Sequence, residues 1–289
     1  GMTGNLDLAR SSGRDIATAA RATGAGEEDI ASMVATANQK FGISDPEEMR
    51  KAIATMINQG KSGAFEMKDA SAYFSELGAS GQRFGLDKSA VGFSKLGAMA
   101  QVARSSTGSG AEAATGVQAM LRQLTAKSGD IKKLNKGKEV VFKDKGKTQT
   151  NDVVDVIANT LKASKGNKVE LQKIFGDEGM KGAAGFINAF NDAGAALGKG
   201  AKESDRLAAG EAAVRKMFDD NVNAGNRWGD VVQDAAARTD NAAARSTTAW
   251  ETITTAVGSS MAPALDQLSM QSADVGAAFG MIAEQLLAP

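Results

Sequence analysis

The sequence predicts a mainly α protein: a multi-helix bundle with one small β-hairpin near residues 138–149 and a long, kinked C-terminal helical tract. Three observations lead there. Apolar residues recur three and four positions apart in segment after segment, the period of one helix face. Glycine (33 residues) punctuates those segments, while proline (3 residues) hardly interrupts them. Aromatic residues make up only 5% of the chain and alanine is abundant, which favours helices over a β-sandwich.

The elements follow in order. In EEDIASMVATANQKFG, residues Ile30, Met33, Val34, Ala37 and Phe41 share a face, and Gly42 can close the end. In SDPEEMRKAIATMINQG, Ser44 and Glu47 suit a capping box, Pro46 the first turn, and Met49, Ile53, Met56 and Ile57 the buried stripe, with Gly60 as the stop. Three further helices carry Ala70, Phe74 and Leu77; Phe93, Leu96 and Ala100; and Val117, Met120, Leu121 and Leu124. No such stripe can be buried alone, so these helices should pack on one another.

GKEVVFKDKGKTQTN departs from this period. Glu139 to Lys143 hold β-branched and aromatic residues, and Lys145-Gly146 supply a turn, hence the hairpin. A helix capped by Asn151 or Thr150 then buries Val153, Val156, Ile157 and Leu161. NKVELQKIFG ends on Gly176. Asp177 and Glu178 begin a new helix, where negative charge is favoured, and Phe186, Ile187 and Phe190 form its apolar face. Leu207, Val214, Met217, Phe218 and Val222 mark one more helix.

Two domains are expected, a helical core over 1–200 and an extended helical segment over 201–289 for oligomerisation or partner binding. In the second, Trp250, Val257, Met261, Leu265, Leu268, Val275, Phe279, Ile282 and Leu286 form a narrow seam, kinked at Pro263 beside Gly258. That seam predicts rapid amide exchange over 240–289 in an isolated monomer. Most of the twelve methionines sit on helical stripes as core filler, with Met261 and Met270 suited to an adaptable partner surface.

Composition narrows the chemistry. Lysine plus arginine equals aspartate plus glutamate at 34 each, so the whole molecule carries no long-range attraction to nucleic acid. Cysteine and histidine are absent, which removes disulfides, thiolate nucleophiles, imidazole bases and the usual zinc ligands. Catalysis by paired carboxylates passes this filter, but nearly all carboxylates fall on polar helix faces, where solvation is the default. No run approaches the roughly 20 apolar residues of a membrane-spanning helix, and no signal peptide opens the chain. Gly1 before Met2 reads as a scar of tag removal.

Motifs that imitate sites have plainer readings. GKTQTN from Gly146 matches the tail of a phosphate-binding loop, but Val141 holds the place of its first glycine, so a hairpin turn is expected. Gly108, Gly110 and Ala113 imitate a dinucleotide fingerprint without a strand before them. Lys127, Lys132, Lys133, Lys136, Lys138, Lys143, Lys145 and Lys147 are offset only by Asp130, Glu139 and Asp144. A solvated rim is the expectation there, with a weak contact to nucleic acid or an acidic partner through Lys127–Lys147 as the alternative. No catalytic, cofactor-binding or metal-binding residue is assigned, and no enzyme activity is expected.

Three stretches stand out together. The first is MKDASAYFSELGASGQRFGLDKSAVGFSKLGAMAQVARSSTGSGAEAATGVQAMLRQL, and the second VVFKDKGKTQTNDVVDVIANTLKASKGNKVELQKIFGDEGMKGAAGFINAF. The third, TAWETITTAVGSSMAPALDQL, leads a tryptophan-bearing helix to a proline. In content and in order, across most of residues 65–270, they resemble the core domain of tail tape-measure proteins of long-tailed bacteriophages and prophages. Full tape-measure proteins are usually much longer, so the chain reads as a core fragment or a shortened relative. The resemblance implies a structural protein of the virion tail, handled in the host cytoplasm during assembly. It would organise the tail tube with tube and assembly proteins, form a homo-oligomer in the tail and leave during genome delivery. The alternatives are a muramidase-like cell-wall hydrolase of the tail and a helical adaptor unrelated to phage.

Overall fold

A computed structural model describes residues 6–239 apart from 63, 64, 224 and 226. Ten helices are α1 (Leu6–Thr23), α2 (Glu27–Phe41), α3 (Pro46–Ser62), α4 (Met67–Phe84), α5 (Ala90–Arg104), α6 (Gly110–Ala126), α7 (Ser128–Leu134), α8 (Val153–Ala163), α9 (Lys168–Ala196) and α10 (Glu203–Val222). One more, α11, covers residues 228–239. The fold is mainly α, as expected. Residues 1–236 form one compact unit, and the second, 237–289, lies almost wholly outside the described residues. The seam from Trp250 to Leu286, its kink at Pro263 and the methionines Met261 and Met270 therefore fall outside them as well.

The expected stripes are the core. Ile30, Met33, Phe41, Phe74, Leu77, Phe93, Leu96, Val117, Met120, Leu124, Ile157 and Leu161 are all buried. Phe93 sits between Phe41, edge-on at a centroid distance of 5.4 Å, and Phe74 at 4.9 Å, so α2, α4 and α5 meet at one aromatic node. A second node lies deeper in the chain, where Phe186 of α9 stacks on Phe218 of α10 at 4.9 Å and 10°. Val214 and Phe218 thus tie α10 into the compact unit, which runs well past the boundary expected near residue 200.

Glycine does more than punctuate. The most extensive helix contact is α6 against α9. There Gly116 and Gly182 let the two backbones touch, since a Cβ on Gly116 would lie 2.6 Å from the Gly182 nitrogen. One turn on, a Cβ on Gly185 would lie 2.6 Å from Cγ1 of Val102 in α5. The expected break at Gly176 is present within α9, at φ 63° and ψ −179°, a conformation that is essentially glycine-only. Phe175, Phe186 and Phe190 are buried on either side of it.

Several local expectations are corrected. The cap of α3 is Asp45, whose Oδ1 accepts from the Glu48 N–H at 2.9 Å, rather than Ser44, while Glu47 pairs with Arg50 instead of closing a capping box. Gly60 stays inside α3, which runs to Ser62. The cap of α8 is Asp152, accepting from Val154 N–H at 2.9 Å, because the Asn151 side chain is drawn away to donate to the Val140 carbonyl at 2.8 Å. Two helices were not anticipated, α1 and α7. Among the described side chains of α1 the buried apolar ones are Ala19, Ala20 and Ala22, with Ile16 packed against the core, and α7 has only Ile131 as a buried apolar anchor.

Candidate functional site

The expected hairpin is reduced to a single antiparallel bridge, Phe142 with Thr150. Two backbone bonds flank it, Lys143 N–H to Gln149 O and Asn151 N–H to Val141 O, both 2.8 Å. The ladder stops there because a side chain takes over the turn. The Asp144 carboxylate accepts from the N–H groups of Thr148 and Gln149 and from the Thr148 hydroxyl, all within 3.1 Å. Those bonds hold the Asp144 carboxyl below its usual range, the Gln149 N–H contributing most. In a phosphate-binding loop such N–H groups would face a ligand. Here Asp144 occupies them, so GKTQTN is a turn.

This loop docks on the C-terminal end of α4. Gly85 adopts φ 103° and its N–H closes onto the Gly81 carbonyl at 3.0 Å. A Cβ at this position would stand 2.5 Å from the Thr150 hydroxyl oxygen, so glycine is required on steric as well as conformational grounds. Thr150 Oγ1 is buried there with no hydrogen-bond partner.

Between loop and helix lies a cleft of about 430 Å3, lined among others by Arg83, Asp87, Lys95, Lys143, Lys147 and Asp152. Lys95 pairs with Asp152, which also caps α8, so one carboxylate joins α5 to the far wall. The Lys147 ammonium lies 5.6 Å from the centre of the Phe142 ring and 3.4 Å from the Ser128 hydroxyl. Its backbone is left-handed at φ 56°, which is uncommon for a non-glycine residue. A neighbouring hollow of about 390 Å3 runs between α4 and α6, lined by Ser80, Gln118, Leu121 and Arg122. The two share Arg83, Phe84 and Thr125.

Of the eight lysines in the Lys127–Lys147 cluster, only Lys143 and Lys147 line the cleft. Lys127 and Lys133 pair locally with Asp130, at 3.9 and 3.3 Å, and Lys132 with Glu139 at 3.8 Å. The other cations of the two hollows, Arg83 and Lys95 in the cleft and Arg122 in its neighbour, come from α4, α5 and α6. Sequence reading missed them because each looks like an ordinary solvated residue on its own helix. None of Arg83, Arg122, Lys143 and Lys147 has a carboxylate within 4.0 Å among the described residues. The Arg83 guanidinium is bonded to the Ser80 hydroxyl at 2.9 Å.

Elsewhere the ionic groups are structural. Burial alone would push the Glu211 carboxyl up, but hydrogen bonds from Lys162 and Arg215 outweigh it and hold the group below its ordinary range. Glu112 is also held low, chiefly by the Gly108 N–H and then by Lys181, as it closes the start of α6. Among the described residues no acidic group of three or more stands close enough to hold a metal ion, and no helix is long and apolar enough to cross a membrane.

Helices knit by glycine contacts, with a polar, cation-bearing cleft beside the 141–152 loop, define a mainly α domain. The sequence model of phage-related minor tail proteins matches residues 2–176, and the chain belongs to that family. The family gives it a structural role in a phage tail. The matched span contains the whole cleft and ends at the Gly176 break within α9. Comparisons with curated proteins and with solved structures give no match.

Proposed function

We propose that the chain is the core region of a tail tape-measure protein, organising tail-tube assembly and leaving the tail lumen during genome delivery. The observation that carries this reading is the succession of three motif stretches in tape-measure order, on a chain of the minor tail protein family. Its partners on this reading are tail tube and assembly proteins. It acts in the virion tail after assembly in the host cytoplasm, and the residues beyond 236 serve self-association or partner binding. The role is non-enzymatic.

The test uses the native open reading frame. Inserting a helical stretch of ~40 residues beyond residue 236 should lengthen virion tails by ~60 Å at 1.5 Å per residue. Tails of unchanged length and normal infectivity would assign the chain to another minor tail role. The hydrolase alternative is checked separately with purified protein on peptidoglycan: turbidity should stay constant, and clearing that depends on one carboxylate would replace the structural reading.

A further inference from the structure

We propose that the joined clefts between α4, α6 and the 141–152 loop form a docking site for a carboxylate-rich segment of another protein. Four cations converge on this concave surface from three separate parts of the chain: Arg83 from α4, Arg122 from α6, and Lys143 and Lys147 from the loop. All four are exposed, and none has a carboxylate partner among the described residues. Elsewhere some exposed cations find one, as Lys51 with Glu48, Lys173 with Glu170 and Lys216 with Asp220 do, and others such as Lys68 and Lys199 do not; what distinguishes these four is that they gather on one concave surface. An unpaired set gathered around two hollows is therefore a local excess of charge in a molecule whose total is zero. The walls add neutral groups that suit a peptide backbone, the Gln82 and Gln149 amides, and the unpartnered Thr150 hydroxyl oxygen lies buried beside them.

The details favour carboxylates on a peptide over the phosphates of a nucleic acid. Single strands are held by stacking on open aromatic faces. Phe84 is buried, and the Phe142 face is covered by Lys147. Asp87 and Asp152 also line the cleft, so an unbroken row of phosphates would meet negative charge on the same wall. A peptide can place its acidic side chains over Arg83, Arg122, Lys143 and Lys147 and neutral ones over Asp87. Arginine adds the planar, two-pronged donor geometry that matches a carboxylate. The site stands on its charge and shape whether or not the chain measures tail length.

Fluorescence anisotropy with the full chain tests this, using a labelled peptide of alternating glutamate and serine and a single-stranded oligothymidine of equal charge. The peptide should bind more tightly than the oligonucleotide at the same salt. The K143E/K147E double variant should weaken peptide binding about tenfold, the scale of reversing two partly exposed ion pairs. Arg83→Ala with Arg122→Ala, which leaves the loop untouched, should weaken it in the same direction. A control with equal charge change on other surfaces, K68E/K199E, should not differ from the parent. Circular dichroism and melting temperature should match across all variants. Tighter oligonucleotide binding lost in K143E/K147E would make this a nucleic-acid site and overturn the proposal. Self-association abolished by the same variant would assign the cleft to a second copy and overturn it too. Absence of peptide binding, or equal loss in the control, would leave no specific site.

Discussion

At the scale of single residues, glycine and one aspartate carry constraints that no other residue can meet. Gly176 holds a left-handed, extended backbone between two buried phenylalanines, so Gly176→Ala should cost about 1–3 kcal/mol, read from urea unfolding. Gly116→Ala acts differently, by driving a methyl into the α9 backbone, and should cost about 1–3 kcal/mol through overpacking. The two effects can be told apart, because only the second should respond to a change in the facing helix. Asp144 predicts a pH dependence. Its folded value lies below the unfolded one, so its contribution is fully present above the ordinary aspartate range and is lost as pH falls through the lowered value. The Thr148 and Gln149 amide resonances should therefore shift together in acid, and Asp144→Asn should abolish that joint titration.

The helix periods were legible at the scale of elements, as were the Gly42 stop of α2 and the break at Gly176, but several caps were not. Met49, Ile53, Met56 and Ile57 identify α3 from spacing alone, and all four are buried. The cap, however, depends on which neighbouring side chain is free. Asp45→Ala should destabilise the protein by about 1 kcal/mol, while Ser44→Ala should have little effect, as thermal melts would show. The same competition explains α8: Asn151 bridges the loop, and Asp152 is left to cap while also pairing with Lys95. The hairpin falls short for a related reason. Its strand residues were read correctly as departing from helical period, but pattern alone does not reveal that Asp144 closes the turn and leaves a single bridge.

For the whole molecule, the reach of the compact unit decides where the chain can be cut. Ending the chain after residue 200 removes α10 and exposes the face of Phe186, which stacks on Phe218, so that fragment should melt far lower or fail to fold cooperatively. Ending it after Ala236 keeps the unit intact and should preserve a single cooperative transition. Phe218→Ala, at about 3–5 kcal/mol, gives the same answer without truncation.

By itself the sequence determined the helical class, the core faces and the family-like order of motifs, because periodicity and glycine placement are local properties that each segment carries alone. It also showed that cysteine and histidine chemistry is absent. Only the tertiary structure decided which glycines separate helices and which let them touch, since Gly116 and Gly182 are 66 positions apart and their need for each other is a matter of contact. It likewise decided the cleft. Arg83, Arg122, Lys143 and Lys147 are unremarkable one at a time, and only the packing of α4, α6 and the loop gathers them around two adjoining hollows, none of them with a carboxylate within 4.0 Å among the described residues.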